Sequence, residues 1–473
     1  MLTRDRAADI FDRIRKFSSA DEVEVLFSGG KFALTRFANN TIHQNVAEEN
    51  YAVSVRTAFG GRTARASTNR FDEESLRRVV AASEELARVQ HPDPDLLPMP
   101  DVREAAGDLD QNLTGGAPAS TRALPMRHFV ETAAITPELR ADGVKKIVGV
   151  AQKHTLTTAG IFSSGESVDG IFNSRGLAHW HTQTSADISI TMLGADSSGW
   201  QKANSPNVAN LDPLALAETA AKKARDSSQP RQIPAGKYTV ILEPSAVLDI
   251  VGFMFWDFAG MGILDQRSFL NGRVGTRLFG ENITIWDDVA HSLQTGSPFD
   301  GEGMRRKRLV LVENGVVKRL VYARATAARM RRSEYKDTVG PVEATGHGFA
   351  LPNEMGELPQ NIVFAAPQNP QTVAQMIAST ERGVLVTRLW YIREVEPFEK
   401  MLTGMTRDGT FYVENGRVQH GVRNFRFNES LIHMLANVEA MSVPVRASGE
   451  ESFDMVVPAM KVREFNFTEV TKF

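Results

Sequence analysis

The sequence predicts an α+β protein, with an N-terminal α/β domain of antiparallel sheet and helices and a C-terminal β-rich domain carrying a few helices. Three observations predict it. Short alternating apolar runs are separated by Gly-Gly, Asn-Asn and Asn-Gly pairs, which are the turn residues of β-hairpins. Amphipathic stripes at helical spacing open on Thr-Pro, Asp-Pro or a lone Asp, as helix N-termini do. Beyond about residue 230 long β segments come to dominate, and a length of 473 residues exceeds the roughly 100–200 residues of one ordinary domain. We therefore divide the chain into residues 1–230 and 231–473.

Taken in order, the opening MLTRDRAADIFDRIRKF predicts a charged amphipathic helix rather than a secretion signal. EVEVLF, KFALTRFA, TIHQNVA, YAVSVRTAF and RTARAST follow as short strands, with turns expected at Gly29-Gly30, Asn39-Asn40 and Gly60-Gly61. Asp72 caps a helix over 73–88, and the four prolines of HPDPDLLPMP end any regular element there. A second unit then repeats the plan. Thr136 and Pro137 open a helix to about Lys153, TLTTAGIFSS, SVDGIFNSRG and LAHWHTQTSADISITML supply strands, and Asp212-Pro213 opens a closing helix. The N-terminal domain is thus expected to be two related helix-plus-sheet halves. In the C-terminal half a strand from Tyr238 leads into an apolar helix over 245–258, and two hairpins share the turn Glu-Asn-Gly at 313–315 and 414–416. A further helix is predicted over 369–382, ended by Gly383.

Composition narrows the function classes. Hydrophobic residues make up 42% and charged residues 23%, and the net charge is −3, a soluble globular balance with nothing that favours nucleic acid. No apolar run approaches the ~20 residues of a membrane span. The absence of cysteine rules out a disulfide scaffold and fits a reducing cytoplasm, where we expect the chain to act. Two basic clusters, at 305–308 and at Arg329, Arg331, Arg332 and Lys336, are more simply solvated element ends than a phosphate-binding face.

The ten histidines contain no H-E-x-x-H or H-E-x-x-x-H. His179 and His181 share one strand face, yet no third ligand is placed with them, and His347 sits in a glycine-bounded loop of structural character. Asp287 and Asp288 are adjacent and should face opposite ways.

The block from Tyr238 to Asp288 runs strand, helix, RSFLNGRVG, acidic pair. With FNSRGL, FDGEG, ERGVLVTRLWYIREVEP and TRDGTFYVENGRV ending in VRNFRFNES, it resembles the TldD/PmbA family over nearly the whole chain. The TldD branch of that family carries a zinc-peptidase H-E-x-x-x-H on the helix; the PmbA, or TldE, branch does not. Counted back from RSFLNGRVG, the six motif positions fall at about 251–256, where Val251, Gly252 and Trp256 replace the His, Glu and His. A catalytic zinc needs about three His, Cys or carboxylate ligands and a general base. We therefore assign no catalytic residue, metal ligand or cofactor to this chain, and treat 243–288 as a degenerate metallopeptidase region.

The resemblance implies a dimer, either a homodimer or a heterodimer with a TldD-like catalytic subunit that holds the zinc, acting on unfolded peptides. As interface or peptide-channel candidates the sequence offers Arg267, Ser268, Trp390, Tyr391, Arg393 and Glu394. RLWYIREVEP combines large apolar area with charge, as interfaces do, but is equally an ordinary strand with Leu389 and Tyr391 buried. Gly272 and Gly275 of the RSFLNGRVG loop suit simple turns. Two alternatives stand beside this reading: a self-sufficient hydrolase with unidentified catalytic residues, such as Ser268 with a distant histidine, and a regulatory protein acting on a topoisomerase.

Overall fold

A computed structural model describes residues 1–106 and 124–471. The N-terminal part is one six-stranded antiparallel sheet in which two three-stranded units meet. The first unit is Glu22–Ala38, Thr41–Phe59 and Arg62–Thr68, flanked by helices Arg4–Phe17 and Glu73–Val89. The second is Thr157–Asn173, Ala178–Leu193 and Ser198–Ser205, flanked by Pro137–Lys153 and Pro213–Asp226. The seam is formed by the first strand of each unit, paired from Glu24 with Asn173 to Phe37 with Gly160. The predicted caps are in place, since the Asp72 side chain accepts from Ser75 N and Thr136 and Asp212 act likewise.

Strand lengths depart from expectation at Gly29-Gly30, where the chain runs straight on instead of turning. A Cβ on Gly29 would lie 2.2 Å from the Asn50 carbonyl, and one on Gly30 2.0 Å from that of Glu166. These glycines therefore let neighbouring strands approach closely. The true turns are Asn39-Asn40 and Gly60-Gly61, all four with positive φ, as a tight hairpin requires.

Beyond residue 230 two further sheets form. One comprises six short strands, including Ile285–Asp287, Ile362–Phe364 and Met455–Val457. In the other, Arg382–Glu396, Gly236–Leu242, Met460–Val470, Phe425–Ser430 and Met401–Glu414 pair in that order, and the last pairs back with the first, so five strands close on themselves. Closure removes the open edges a flat sheet would leave. Its interior is aromatic, with Phe425 and Phe467 stacked at 4.6 Å between ring centres. Both Asn-Gly turns occur as predicted, with φ of 49° at Asn314 and 50° at Asn415.

The helix expected over 369–382 is shorter. It spans Val373–Ala378, closed at its start by a capping box between Thr372 and Gln375. Gly383 lies inside a strand, where a Cβ would come 2.5 Å from the Thr239 carbonyl. Among the described residues no helix is long and apolar enough to cross a membrane.

Candidate functional site

The apolar segment after Tyr238 was expected to be one helix. It is an α-helix, Pro244–Val251, continued by a 3₁₀ segment, Gly252–Phe258. Pro244 suits the first helical position, and Ala246 to Val251 are all buried. Phe255 also packs into the core, but Trp256 does not: it is 48% exposed, with one face stacked on Phe349. At Gly252 the chain passes against Ser452, whose Oγ would lie 1.9 Å from a Cβ.

A cleft of about 420 Å³ opens over this segment. Gly252, Phe253 and Trp256 line it together with Glu394 from the strand Arg382–Glu396, Lys400 from the turn that joins this strand to Met401–Glu414 in a hairpin, and Glu451 and Phe453 from a distant loop. The Lys400 ammonium, nearly buried, lies 2.6 Å from Asp257 Oδ2 and is also paired with Glu394. Burial raises the Asp257 pKa and Lys400 opposes that rise. Asp257 Oδ1 accepts Phe269 N at 3.1 Å, while its carbonyl accepts the Ser268 hydroxyl at 2.8 Å.

The predicted residues divide on this geometry. Glu394 lines the cleft, together with Gly252 and Trp256 of the degenerate motif. Tyr391 and Arg393 stand beside it on the hairpin, with the Arg393 guanidinium 4.4 Å from the Tyr391 ring centre. Tyr391 is exposed rather than buried, because its φ of +55° inserts an extra residue and the strand register shifts between Trp390 and Arg393. Leu389 and Ile392, three residues apart, are the buried ones. Trp390 is half-buried between the Arg388 and Arg407 guanidiniums, 5.4 and 5.0 Å away, and serves packing.

Ser268 is corrected. Its side chain is buried and engaged twice, donating to Asp257 O and accepting Leu270 N at 3.0 Å, so it neither lines a channel nor presents a nucleophile. Arg267 is exposed and paired with Asp265 at 3.2 Å, away from the cleft lining.

Sequence reasoning missed Lys400, Glu451 and a buried acid. Asp249 Oδ1 accepts the backbone N–H groups of Glu450 and Glu451 at 3.1 and 3.2 Å, while burial pushes its pKa up to about 7. No spacing rule points from Asp249 to residue 450, since only the fold brings them together. A second buried carboxylate also accepts backbone N–H groups from a distant loop, although its pKa is lowered, with His347 opposing the effect of burial. Asp287 pairs with His347 at 3.1 Å, both fully buried, and its other oxygen accepts Gln360 and Asn361 N–H. Nearby, Glu302 is pushed up to about 8 by burial and by Asp300. Asp288 turns the other way, towards Arg308 at 3.4 Å. These carboxylates receive backbone N–H groups and so tie loops together.

The donor set does not fit zinc. Val251 points into the core, Gly252 has no side chain, Trp256 has no ligand atom for it, and the only nitrogen in the cleft lining with a full charge is an ammonium held by carboxylates. His179 stacks on Phe299 and His181, its pKa lowered to about 4 by burial and Arg127, stays neutral. Among the described residues no three His, Asp or Glu side chains are grouped to hold a metal ion. The basic clusters are largely engaged internally, for example Lys307 with Glu343 and Arg332 with Asp95.

Residues 235–469 match the PmbA/TldA metallopeptidase C-terminal domain, and residues 23–87 match PmbA/TldA metallopeptidase domain 1. The chain is 21% identical over 426 residues to metalloprotease PmbA of Escherichia coli O157:H7, covering 87% of this chain and 85% of that protein. The crystal structure of TldE from Thermococcus kodakarensis superposes with a TM-score of 0.82 at 18% identity, covering 98% of this chain and all of that one. Family models spanning both halves of the chain, a relative aligned over most of its length and a shared fold agree with the motifs in order: the chain belongs to the TldD/PmbA metallopeptidase family.

Proposed function

We propose that this chain is the non-catalytic, TldE-like subunit of a zinc peptidase complex, paired with a TldD-like subunit that supplies the metal, and that it confines unfolded peptides at the shared site. The observation that carries the reading is the make-up of residues 251–256. Where the catalytic branch places His, Glu and His, this chain has Val251, Gly252 and Trp256, and a Cβ on Gly252 would lie 1.9 Å from Ser452 Oγ. The hydrolytic chemistry then belongs to the zinc of the partner.

The surface around the cleft supports a partner-facing role. Trp256, Tyr391, Val395 and Phe398 are each about half exposed or more and sit on the 3₁₀ segment and the hairpin that border it. Exposed aromatic and aliphatic groups beside charged ones mark interfaces. The proposed cellular site is the cytoplasm.

Purifying the chain alone, the TldD-like protein alone and the two together tests this directly. Zinc and cleavage of an unstructured peptide are expected in the mixture, with no zinc and no cleavage in the lone chain. Metal-dependent cleavage by the lone chain would overturn the proposal.

A further inference from the structure

We propose that the cleft beside Trp256 receives the guanidinium side chain of an arginine in an unfolded peptide, an inference that rests on the peptide-handling reading above. The first argument is shape and aromatic character. Trp256 is covered on one face by Phe349 and is 48% exposed overall, and Phe253 and Phe453 stand in the same lining. An indole with an open face attracts a planar cation through its ring quadrupole, and a guanidinium stacks there better than a compact ammonium.

Charge supplies the second argument. Glu394 and Glu451 line the site against the single ammonium of Lys400, which also pairs with buried Asp257, a residue outside the lining. Arg393 reaches Glu451 only at 3.8 Å and is not part of the lining, so the lining keeps a negative surplus of one charge. Lys400 is itself nearly buried between Asp257 and Glu394, and its charge is spent on them. Glu394 is about one-third exposed and so keeps a carboxylate face for an incoming donor. The cleft also has the room, at about 420 Å³, for one long side chain together with water. A carboxylate beside an aromatic wall selects a cation over a neutral isostere of the same length.

Fluorescence anisotropy with dye-labelled, acetylated and amidated Gly/Ser peptides tests the proposal, using one central arginine, its neutral isostere citrulline, or glutamate. The arginine peptide is expected to bind the chain about 10-fold more tightly than citrulline, with glutamate weakest. Trp256→Ala and Glu394→Gln should each reduce that preference about fivefold. Trp256 is exposed, so its variant keeps the test open should the Glu394 variant unfold. Equal affinities, tighter glutamate binding, absence of binding by every peptide, or a preference unchanged in both variants would overturn the proposal. Co-purification with the TldD-like protein is measured on the same samples. Normal assembly without arginine preference overturns this inference alone, whereas arginine preference without assembly supports it and overturns the subunit reading.

Discussion

The Glu451 carboxylate accepts the backbone N–H of Tyr391 at 2.7 Å, and this bond shapes the rim of the cleft. Its other oxygen accepts Ile392 N–H at 3.3 Å, so one side chain serves both amides of the bulge. Tyr391 adopts a left-handed conformation that bulky residues avoid, and the Glu451 bonds help to hold it there. Glu451 is placed in turn by its own N–H, which donates to buried Asp249. The helix of the degenerate motif is thereby coupled to the exposed hairpin through two carboxylates.

Replacing Glu451 with Ala removes an ionised acceptor from two amides. We expect a loss of about 1–3 kcal/mol in urea unfolding, with faster hydrogen exchange at Tyr391 and Ile392. Unchanged exchange at both amides would show that the bulge is held by other contacts.

Lys400→Met should cost about 3–5 kcal/mol, because it strands a buried Asp257 charge. Adding Asp257→Asn to that variant should restore much of the loss. A double-mutant cycle by chemical denaturation measures the coupling, and additive losses would contradict a shared network.

Asp249 makes stability depend on pH in a defined direction. Its folded pKa of about 7 lies above the ordinary aspartate range, so the folded state binds the proton more tightly than the unfolded chain. That contribution is complete below about pH 4 and is lost as pH rises through about 7. Asp249→Asn keeps an Oδ1 acceptor without the charge and should gain stability relative to the parent between pH 5 and 8. Parallel urea titrations across that window check it; a constant difference would refute the assignment.

Restoring the catalytic motif should fail. Gly252→Ala alone is expected to cost about 1–3 kcal/mol because its Cβ meets Ser452. The triple variant Val251→His, Gly252→Glu, Trp256→His should acquire no zinc by elemental analysis. Stoichiometric zinc in a folded triple variant would show that the site is lost in sequence only.

Much of this protein was legible in its residues. Asp72, Thr136 and Asp212 signalled their helices through local hydrogen bonds, and the Asn-Gly turns signalled theirs through φ, because both signals act within a few residues. Gly29, Gly30 and Gly383 misled because a glycine needed for close strand approach looks in sequence like one needed for a turn. At the site, the sequence makes plain that residues 251–256 carry no His, Cys or carboxylate. Lys400 and Glu451 could not be read in the same way, since their partners Asp257, Asp249 and Tyr391 lie far away in the chain.

The seam between the two three-stranded units has a kinetic consequence. Within each unit the strands are joined by short connections, but the seam pairs Glu24 with Asn173, and its closure must await most of the N-terminal chain. Local hairpins form before distant pairings because closing a long loop carries a larger entropy cost. Each half is therefore expected to gain amide protection in pulse-labelled refolding before the seam does. A ribosome releasing this chain would expose Glu22–Ala38 with one side unpaired until the second half emerged, which makes the interval between the two units the period of greatest aggregation risk.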